Sequence, residues 1–398
     1  MTALIRSLAT AVPPTLLPQD RIRDVLAAQP GVDRLSARLI PAVFNASGIE
    51  RRYTCVQEWE KGLHDVGQAA SPDEVTLGEA IKDQEKPGVF FDPGTHHVLS
   101  PSTGVRNAIY ATEATKLYVE AAQGALERAP EIAADQVTHV ITVSCTGFYS
   151  PGPDYQIVRQ LDLSPAVKRL HIGFMGCYAA MPALREAASI CQADPAAVVL
   201  VASVELCTLH VRVANDQDTI LGASLFADGG AAALVTGADA PALPEGRPAL
   251  ELDRFSTVLT PVGEDAMAWN IGDEGFEMIL GSYVPHIIDE HITDALKPLL
   301  GADTVLSGRP HREVEHWAIH PGGRSILDKV QARLDLADEQ LVASRETLRD
   351  YGNMSSATVM FVLQHIMESA GEPGERICAM AFGPGLTVES ALLTRAAG

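Results

Sequence analysis

Three short stretches, far apart in the chain, carry side chains of complementary chemistry. They are a thiol in Gly173-Phe174-Met175-Gly176-Cys177, an imidazole in His320-Pro321-Gly322-Gly323, and a carboxamide in Tyr351-Gly352-Asn353-Met354-Ser355-Ser356. A thiolate can hold an acyl group, and an imidazole and an amide N–H can stabilise the oxyanion or enolate that forms when a neighbouring thioester reacts. Each residue also has a plainer reading. Cys177 can be merely a small residue at the start of an apolar helix, although a helix N-terminus favours a thiolate and a nearby imidazolium favours it further. His320 can be a satisfied core histidine at a strand end, although the two glycines after it allow close backbone approach. Asn353 can be a helix N-cap and nothing more.

Whether the three meet depends on the elements that carry them. Apolar spacing predicts a helix over 106–129, a strand over His139–Cys145, a short helix near 153–162, a strand near 168–174, a helix from Cys177 to about Gln192, and strands near 197–204 and 223–236. The second half reads similarly: a long helix over 276–299, a strand Trp317–His320, helices near 323–335 and 342–350, a helix from Asn353 to about Glu368, and strands near 376–382 and 386–394. Cys145 precedes Cys177 by 32 residues and His320 precedes Asn353 by 33, so a strand end and a helix start recur at one separation. This pattern predicts an internal duplication, with residues 1–238 carrying the cysteine and 239–398 carrying the histidine and asparagine. Two such halves around a pseudo-dyad would stack α/β layers about two central helices. Cys177 and Asn353 would then adjoin at the helix starts. Cys145 and His320 would adjoin at strand ends, where ligands of α/β folds gather.

Composition narrows the partners. The 398 residues are 46% hydrophobic and 20% charged, an ordinary globular balance with room for a large core. Thirty Lys and Arg against 51 Asp and Glu leave a formal charge of −21 with no basic run, which argues against nucleic acid and anionic membranes. An anionic substrate would need a local basic mouth. No stretch approaches the roughly 18 apolar residues of a membrane span, and the first residues lack a signal-peptide pattern, so a cytoplasmic location is expected. Six cysteines without CxxC spacing suggest free thiols, with neither zinc site nor disulfide framework. Residues 54–104, rich in charge, Pro and Gly, read as a long excursion; its His96-His97 pair has no carboxylate or cysteine at ligand spacing.

Taken together, Gly176-Cys177, His320-Pro-Gly-Gly-Arg-Ser-Ile-Leu-Asp, Tyr-Gly-Asn353-Met-Ser-Ser-Ala and Phe382-Gly-Pro-Gly-Leu-Thr-Val-Glu resemble type III polyketide synthases, the chalcone-synthase-like branch of the thiolase superfamily. The resemblance runs from about residue 105 to the end; before it, Ser47-Gly-Ile-Glu-Arg-Arg-Tyr53 is similar to the family's segment near the coenzyme A entrance. It implies a duplicated five-layer αβαβα thiolase fold with two buried central helices, assembled as a homodimer. It also implies iterative decarboxylative condensation of malonyl-CoA onto an acyl-CoA starter held on Cys177. His320 and Asn353 would bind the thioester carbonyl, no metal or redox cofactor would be needed, and a pyrone or aromatic polyketide would be released. Phe226 and Phe276 match the family's two gatekeeper phenylalanines. Cys145, Thr146, Cys207, His210, Met267 and Ser355 fall at positions that line the elongation cavity.

Departures from the plant pattern bear on the product. Cys145 and His210 stand where plant chalcone synthases have Thr, and Met267 where they have Gly; bulk at 210 and 267 should narrow the cavity, and Cys145 resembles bacterial members. Ala42 and Ala46 lie where basic coenzyme A contacts are expected, leaving Arg38, Arg51 and Arg52 as candidate substitutes. Ala381 precedes Phe382 where Gly is usual, and the 54–104 excursion is longer than in plant enzymes and is expected to cover the entrance or a dimer surface. Two rival classes are a type III ketoacyl-carrier-protein synthase, which condenses once on a carrier protein, and a non-catalytic partner on the same fold. Hydroxymethylglutaryl-CoA synthases and thiolases use acid–base groups absent from the matching positions.

Overall fold

A computed structural model describes residues 3–60, 88–92 and 94–396. The bulk of the 54–104 excursion therefore lies outside the described residues, but its ends are tied together. The Glu58 carboxylate accepts from the backbone N–H groups of Val89, Phe90 and Phe91 at 2.8, 2.7 and 3.0 Å, and Trp59 packs on Phe91.

The strands in chain order are β1 (Ala3–Ala11), β2 (Thr15–Pro18), β3 (Arg51–Thr54), β4 (Phe91–Asp92), β5 (His97–Val98), β6 (His139–Ser144), β7 (Lys168–Gly173), β8 (Val198–Leu206), β9 (Asp228–Thr236), β10 (Leu250–Leu259), β11 (Met267–Gly272), β12 (Gly275–Leu280), β13 (His316–Ile319), β14 (Arg376–Gly383) and β15 (Thr387–Arg395). Nine of them form one sheet in the order β13-β14-β15-β10-β1-β9-β8-β6-β7. The order repeats outward from the middle. β6-β8-β9-β1 on one side is matched by β13-β14-β15-β10 on the other, with a parallel pair followed by antiparallel pairs in each arm. The arms join where Ala3, Leu4 and Ile5 pair with Leu252, Glu251 and Leu250.

Alternation along these strands builds the layers. In β8, Val199 and Val201 face one cluster while Leu200, Ala202 and Val204 face another; in β14, Ile377, Ala379 and Ala381 face the first while Cys378, Met380 and Phe382 face a third. The shared cluster holds the helices Ala180–Ala193 and Thr358–Glu368. The second of these is buried nearly all round, as a helix covered on both sides must be. Helix Thr103–Glu127 covers the outer face of the first arm, burying Tyr110, Ala114, Leu117, Tyr118, Ala121 and Ala125 at helical spacing. Helices Val284–Leu300 and Arg324–Leu334 cover the outer face of the second. The result is the five-layer αβαβα order with two buried central helices.

Three element readings are corrected. The 276–299 helix is a strand, β12, followed by helix Val284–Leu300; apolar residues at 276, 279, 280, 284, 287 and 288 fit a helical period, and only the Asp273-Glu274-Gly275 turn marks the hairpin. The strand expected from 223 begins at Asp228, because Gln217–Leu225 is a helix capped by the Asp216 carboxylate on the Thr219 N–H at 2.8 Å. Cys177 and Asn353 do not open the central helices themselves. Each belongs to a tight segment just ahead of one, with 3-10 turns at Gly176–Tyr178 and Ser355–Ala357.

Candidate active site

From β7 the chain turns through Phe174 (φ 61°) and Gly176 (φ 77°), both left-handed, to present Cys177. Glycine is needed at 176 for a second reason, since a Cβ there would stand 2.6 Å from Pro384 Cδ. Phe174 accepts a conformation costing roughly 1–2 kcal/mol for a side-chain-bearing residue, and its N–H is held by the Ser144 carbonyl at 3.1 Å.

His320 leaves β13 with its N–H on the Met380 carbonyl at 2.7 Å. Its ring is buried, and among the described residues neither ring nitrogen has a hydrogen-bond partner. Since buried polar atoms are nearly always paired, a ring so placed in the cavity wall can hydrogen-bond a group that enters the cavity. Asn353 is fixed more fully. Its Oδ1 accepts from the Ser355 N–H at 2.9 Å, which only an oxygen can do, so Nδ2 points the other way. There the group reaches the Gly322 carbonyl at 3.4 Å and also hydrogen-bonds the Cys177 thiol. The Asn353 backbone donates to Leu225 O and accepts from Ala227 N–H, both at 2.9 Å, clasping Phe226 between them.

Cys177, His320 and Asn353 face one cavity of about 630 Å³, and Cys145, Thr146, Cys207, Phe226, Met267 and Ser355 line it with them. His210, expected in that wall, and Phe276, expected as a gate, are placed elsewhere. His210 and Phe276 line a second chamber of about 420 Å³ that shares Cys207, Phe226, Trp269 and Met278 with the first. Phe276 meets four aromatic rings, Phe148, Phe174, His210 and Trp269. His210 stacks on it at 4.3 Å with Nδ1 accepting the Phe276 N–H at 2.9 Å, so Nε2 carries the proton and donates to Thr146 O at 2.8 Å. Burial pushes the His210 imidazole down to about 4, locking this neutral form.

Burial also pushes the Cys177 thiol up to about 11, against hydrogen bonds from Ser355 and Asn353 that pull it down, and pushes the His320 imidazole down to about 3. Burial by itself therefore favours a thiol beside a neutral imidazole in the ligand-free pair. A thiolate and an imidazolium made together would recover part of this cost through mutual attraction.

Sequence reasoning missed Glu205. It is fully buried at the end of β8, and its carboxylate accepts from Cys145 N (3.0 Å), Cys145 Sγ (3.2 Å), Ser144 Oγ (3.1 Å), Thr146 Oγ1 (2.7 Å) and Ser356 Oγ. The signal was an acidic residue inside the otherwise apolar run Val198–Leu206. Glu205 clarifies Cys145. That thiol donates to Glu205, lies 3.4 Å from Ser355 Oγ, and is pushed well above the usual range by burial and then by the carboxylate. Cys145 is a hydrogen-bond donor in the cavity wall.

The basic candidates fare differently from expectation. Arg52 is buried and donates to the carbonyls of Ala223 (2.8 Å) and Phe226 (2.6 Å); Arg51 pairs with Asp350 at 3.1 Å; Arg38 is exposed on the helix Ser36–Ala46. None lines the open chamber of about 850 Å³ that shares Leu280, Gly322 and Ile326 with the reactive cavity. Arg324 does, at the start of helix Arg324–Leu334. Among the described residues no group of three or more His, Cys, Asp or Glu is placed to hold a metal ion, and no helix is long and apolar enough to cross a membrane.

The doubled arms, the central helices and the cavity at their starts define a thiolase fold. The N-terminal domain of chalcone and stilbene synthases matches residues 91–240 and the C-terminal domain matches 251–397, so the chain belongs to the chalcone synthase-like type III polyketide synthase family, acyltransferases that use malonyl-CoA and acyl-CoA substrates. Bisdemethoxycurcumin synthase of Oryza sativa subsp. japonica is 32% identical over 406 residues, covering 98% of this chain and 92% of that protein. The crystal structure of PKS-I from the brown alga Ectocarpus siliculosus superposes with a TM-score of 0.84 at 28% identity, covering 99% of this chain and 98% of that one. The type III polyketide synthase domain of Steely1 from Dictyostelium, at 24% identity, shares the fold with a TM-score of 0.83, covering 99% of each chain.

Proposed function

We propose that this chain works in the cytoplasm as a homodimeric type III polyketide synthase, with Cys177 as nucleophile and His320 and Asn353 as carbonyl-binding donors. The observation that carries this is the meeting of a thiol, an unpartnered imidazole and an oriented carboxamide in one cavity. In loading, Cys177 Sγ attacks the acyl-CoA carbonyl, His320 accepts the thiol proton, the carbon–sulfur bond to coenzyme A breaks, and the proton passes to the departing thiolate. In extension, His320 and Asn353 donate to the malonyl thioester carbonyl. Loss of carbon dioxide then leaves an enolate whose charge they hold in a site with little water. The enolate carbon attacks the Cys177 thioester carbonyl, the carbon–sulfur bond to Cys177 breaks and frees its thiolate, and the lengthened chain, now on coenzyme A, transfers back to Cys177 for the next round until it cyclises. The halves on either side of 238/239 would supply the nucleophile and the two donors respectively. Edge strand β7, with Leu170 exposed and Phe148 and Phe174 beside it, supports the dimer as a face left open to a second copy.

Incubation with malonyl-CoA and an acyl-CoA, without carrier protein, tests the reading. Cyclised polyketides are expected, and strict dependence on a carrier protein would overturn it in favour of a single-condensation synthase.

Arg324 is the proposed contact for the coenzyme A phosphates. It sits at the mouth of the open chamber, where among the described residues its one ion pair is with Asp328 at 3.5 Å, in a protein of charge −21 where anions need local attraction. Arg324→Ala is expected to raise KM for malonyl-CoA about tenfold, the equivalent of ~1.4 kcal/mol. KM for the phosphate-free N-acetylcysteamine thioester should be nearly unchanged. Equal rises for both substrates would remove Arg324 from phosphate binding.

A further inference from the structure

Trp269 stands between two chambers. Its side chain lines both the reactive cavity of about 630 Å³ and the neighbouring chamber of about 420 Å³. It is pinned from three directions. The indole Nε1–H donates to the Cys145 carbonyl at 2.7 Å, and the ring meets Phe276 edge-on at 5.9 Å and His210 edge-on at 5.6 Å. Phe276 and His210 are themselves stacked and joined through backbone and ring nitrogens, so the indole cannot swing aside without breaking a hydrogen bond and two aromatic contacts. On the far side the second chamber runs past Gly222 and Ala223 to Arg212, Asp218 and Thr219.

We propose that Trp269 is a specificity-determining wall. It closes the second chamber to the acyl chain on Cys177 and so limits both the length of starter that can load and the number of extensions before release. The inference rests on the synthase reading above. Loading is the thioester exchange already described: the Cys177 sulfur–carbon bond forms, the coenzyme A sulfur–carbon bond breaks, and the thiol proton ends on coenzyme A. The wall alters neither bond; it sets how far the acyl tail can reach.

The experiment compares wild type, Trp269→Ala and Trp269→Phe with a ladder of straight-chain acyl-CoA starters. Intact-protein mass reports acylation of Cys177, and mass spectrometry reports products after malonyl-CoA is added. Trp269→Ala is expected to load starters at least several carbons longer than wild type and to shift products by one or more further condensations. Trp269→Phe, which keeps most of the bulk but loses the N–H, should behave as wild type. An unchanged starter limit and product length in Trp269→Ala would overturn the proposal, as would lengthening in Trp269→Phe, which would assign the effect to the hydrogen bond. Should Trp269→Ala fail to fold by its melting curve, Trp269→Leu supplies the same comparison with less bulk removed. Failure of the synthase reading itself looks different: wild type would then consume no malonyl-CoA with any starter.

Discussion

Asn353→Ala is expected to slow malonyl-CoA decarboxylation by on the order of a hundred- to a thousandfold, the usual loss when one donor is removed from an oxyanion hole. The Nδ2 group it removes is aimed by the Ser355 N–H on Oδ1, so it is positioned before substrate arrives. Such preorganisation is what makes a single donor matter. The cost to the fold should be about 1 kcal/mol, the ordinary worth of the lost Ser355 bond. Asn353→Asp keeps an acceptor for Ser355 but sets a carboxylate oxygen where the enolate charge would form, and it should be at least as slow. Alkylation of Cys177 by iodoacetamide should change no more than severalfold in either variant. Decarboxylation that persists in both would remove Asn353 from the carbonyl site, while loss of alkylation would point to a collapsed cavity.

Acid should destabilise the protein through His210. The unfolded residue takes up a proton near 6.5, whereas the folded one resists until about 4, because protonation would charge a buried ring, and one near Arg106; it would also set an N–H against the Phe276 N–H. Between those values the unfolded chain binds more protons, so this residue's contribution is complete above 6.5 and declines as pH falls. The full loss is about 3 kcal/mol. His320 extends the decline in the same direction toward about 3. Urea midpoints at about pH 7 and about pH 4.5 should shift less in His210→Gln than in wild type, since glutamine cannot titrate. Equal shifts would show that His210 is not the acid-sensitive group.

The three residues of the proposed site were legible because each sits in a local pattern that restricts backbone or chemistry. Examples are the left-handed Gly176 before Cys177, the glycines after His320, and the Asn353–Ser355 pair that becomes an internal hydrogen bond. The doubled order of elements was legible from spacing, and the sheet repeats it over four strands in each arm, with β7 added at one edge. Residues whose role depends on a distant partner were not. Glu205 matters through Cys145, Thr146 and Ser356, and Trp269 through Cys145 and His210, links that span 59 to 151 residues. Arg52 looked like a surface cation beside an entrance, but burial against the carbonyls of Ala223 and Phe226 makes it a brace. Helical and strand periods coincided over 276–280, and the hairpin turn alone separated them.

The backbone clasp between Asn353 and the Leu225–Ala227 segment ties the gate phenylalanine and the carboxamide donor into one rigid beam. Neither can drift without dragging the other. Natural variation at this site therefore has two unequal routes. Swapping the Phe226 side chain would reshape the chamber while leaving the Asn353 carboxamide in place, whereas an insertion or deletion within the beam would displace both together. Such a frame invites substitution and resists length change.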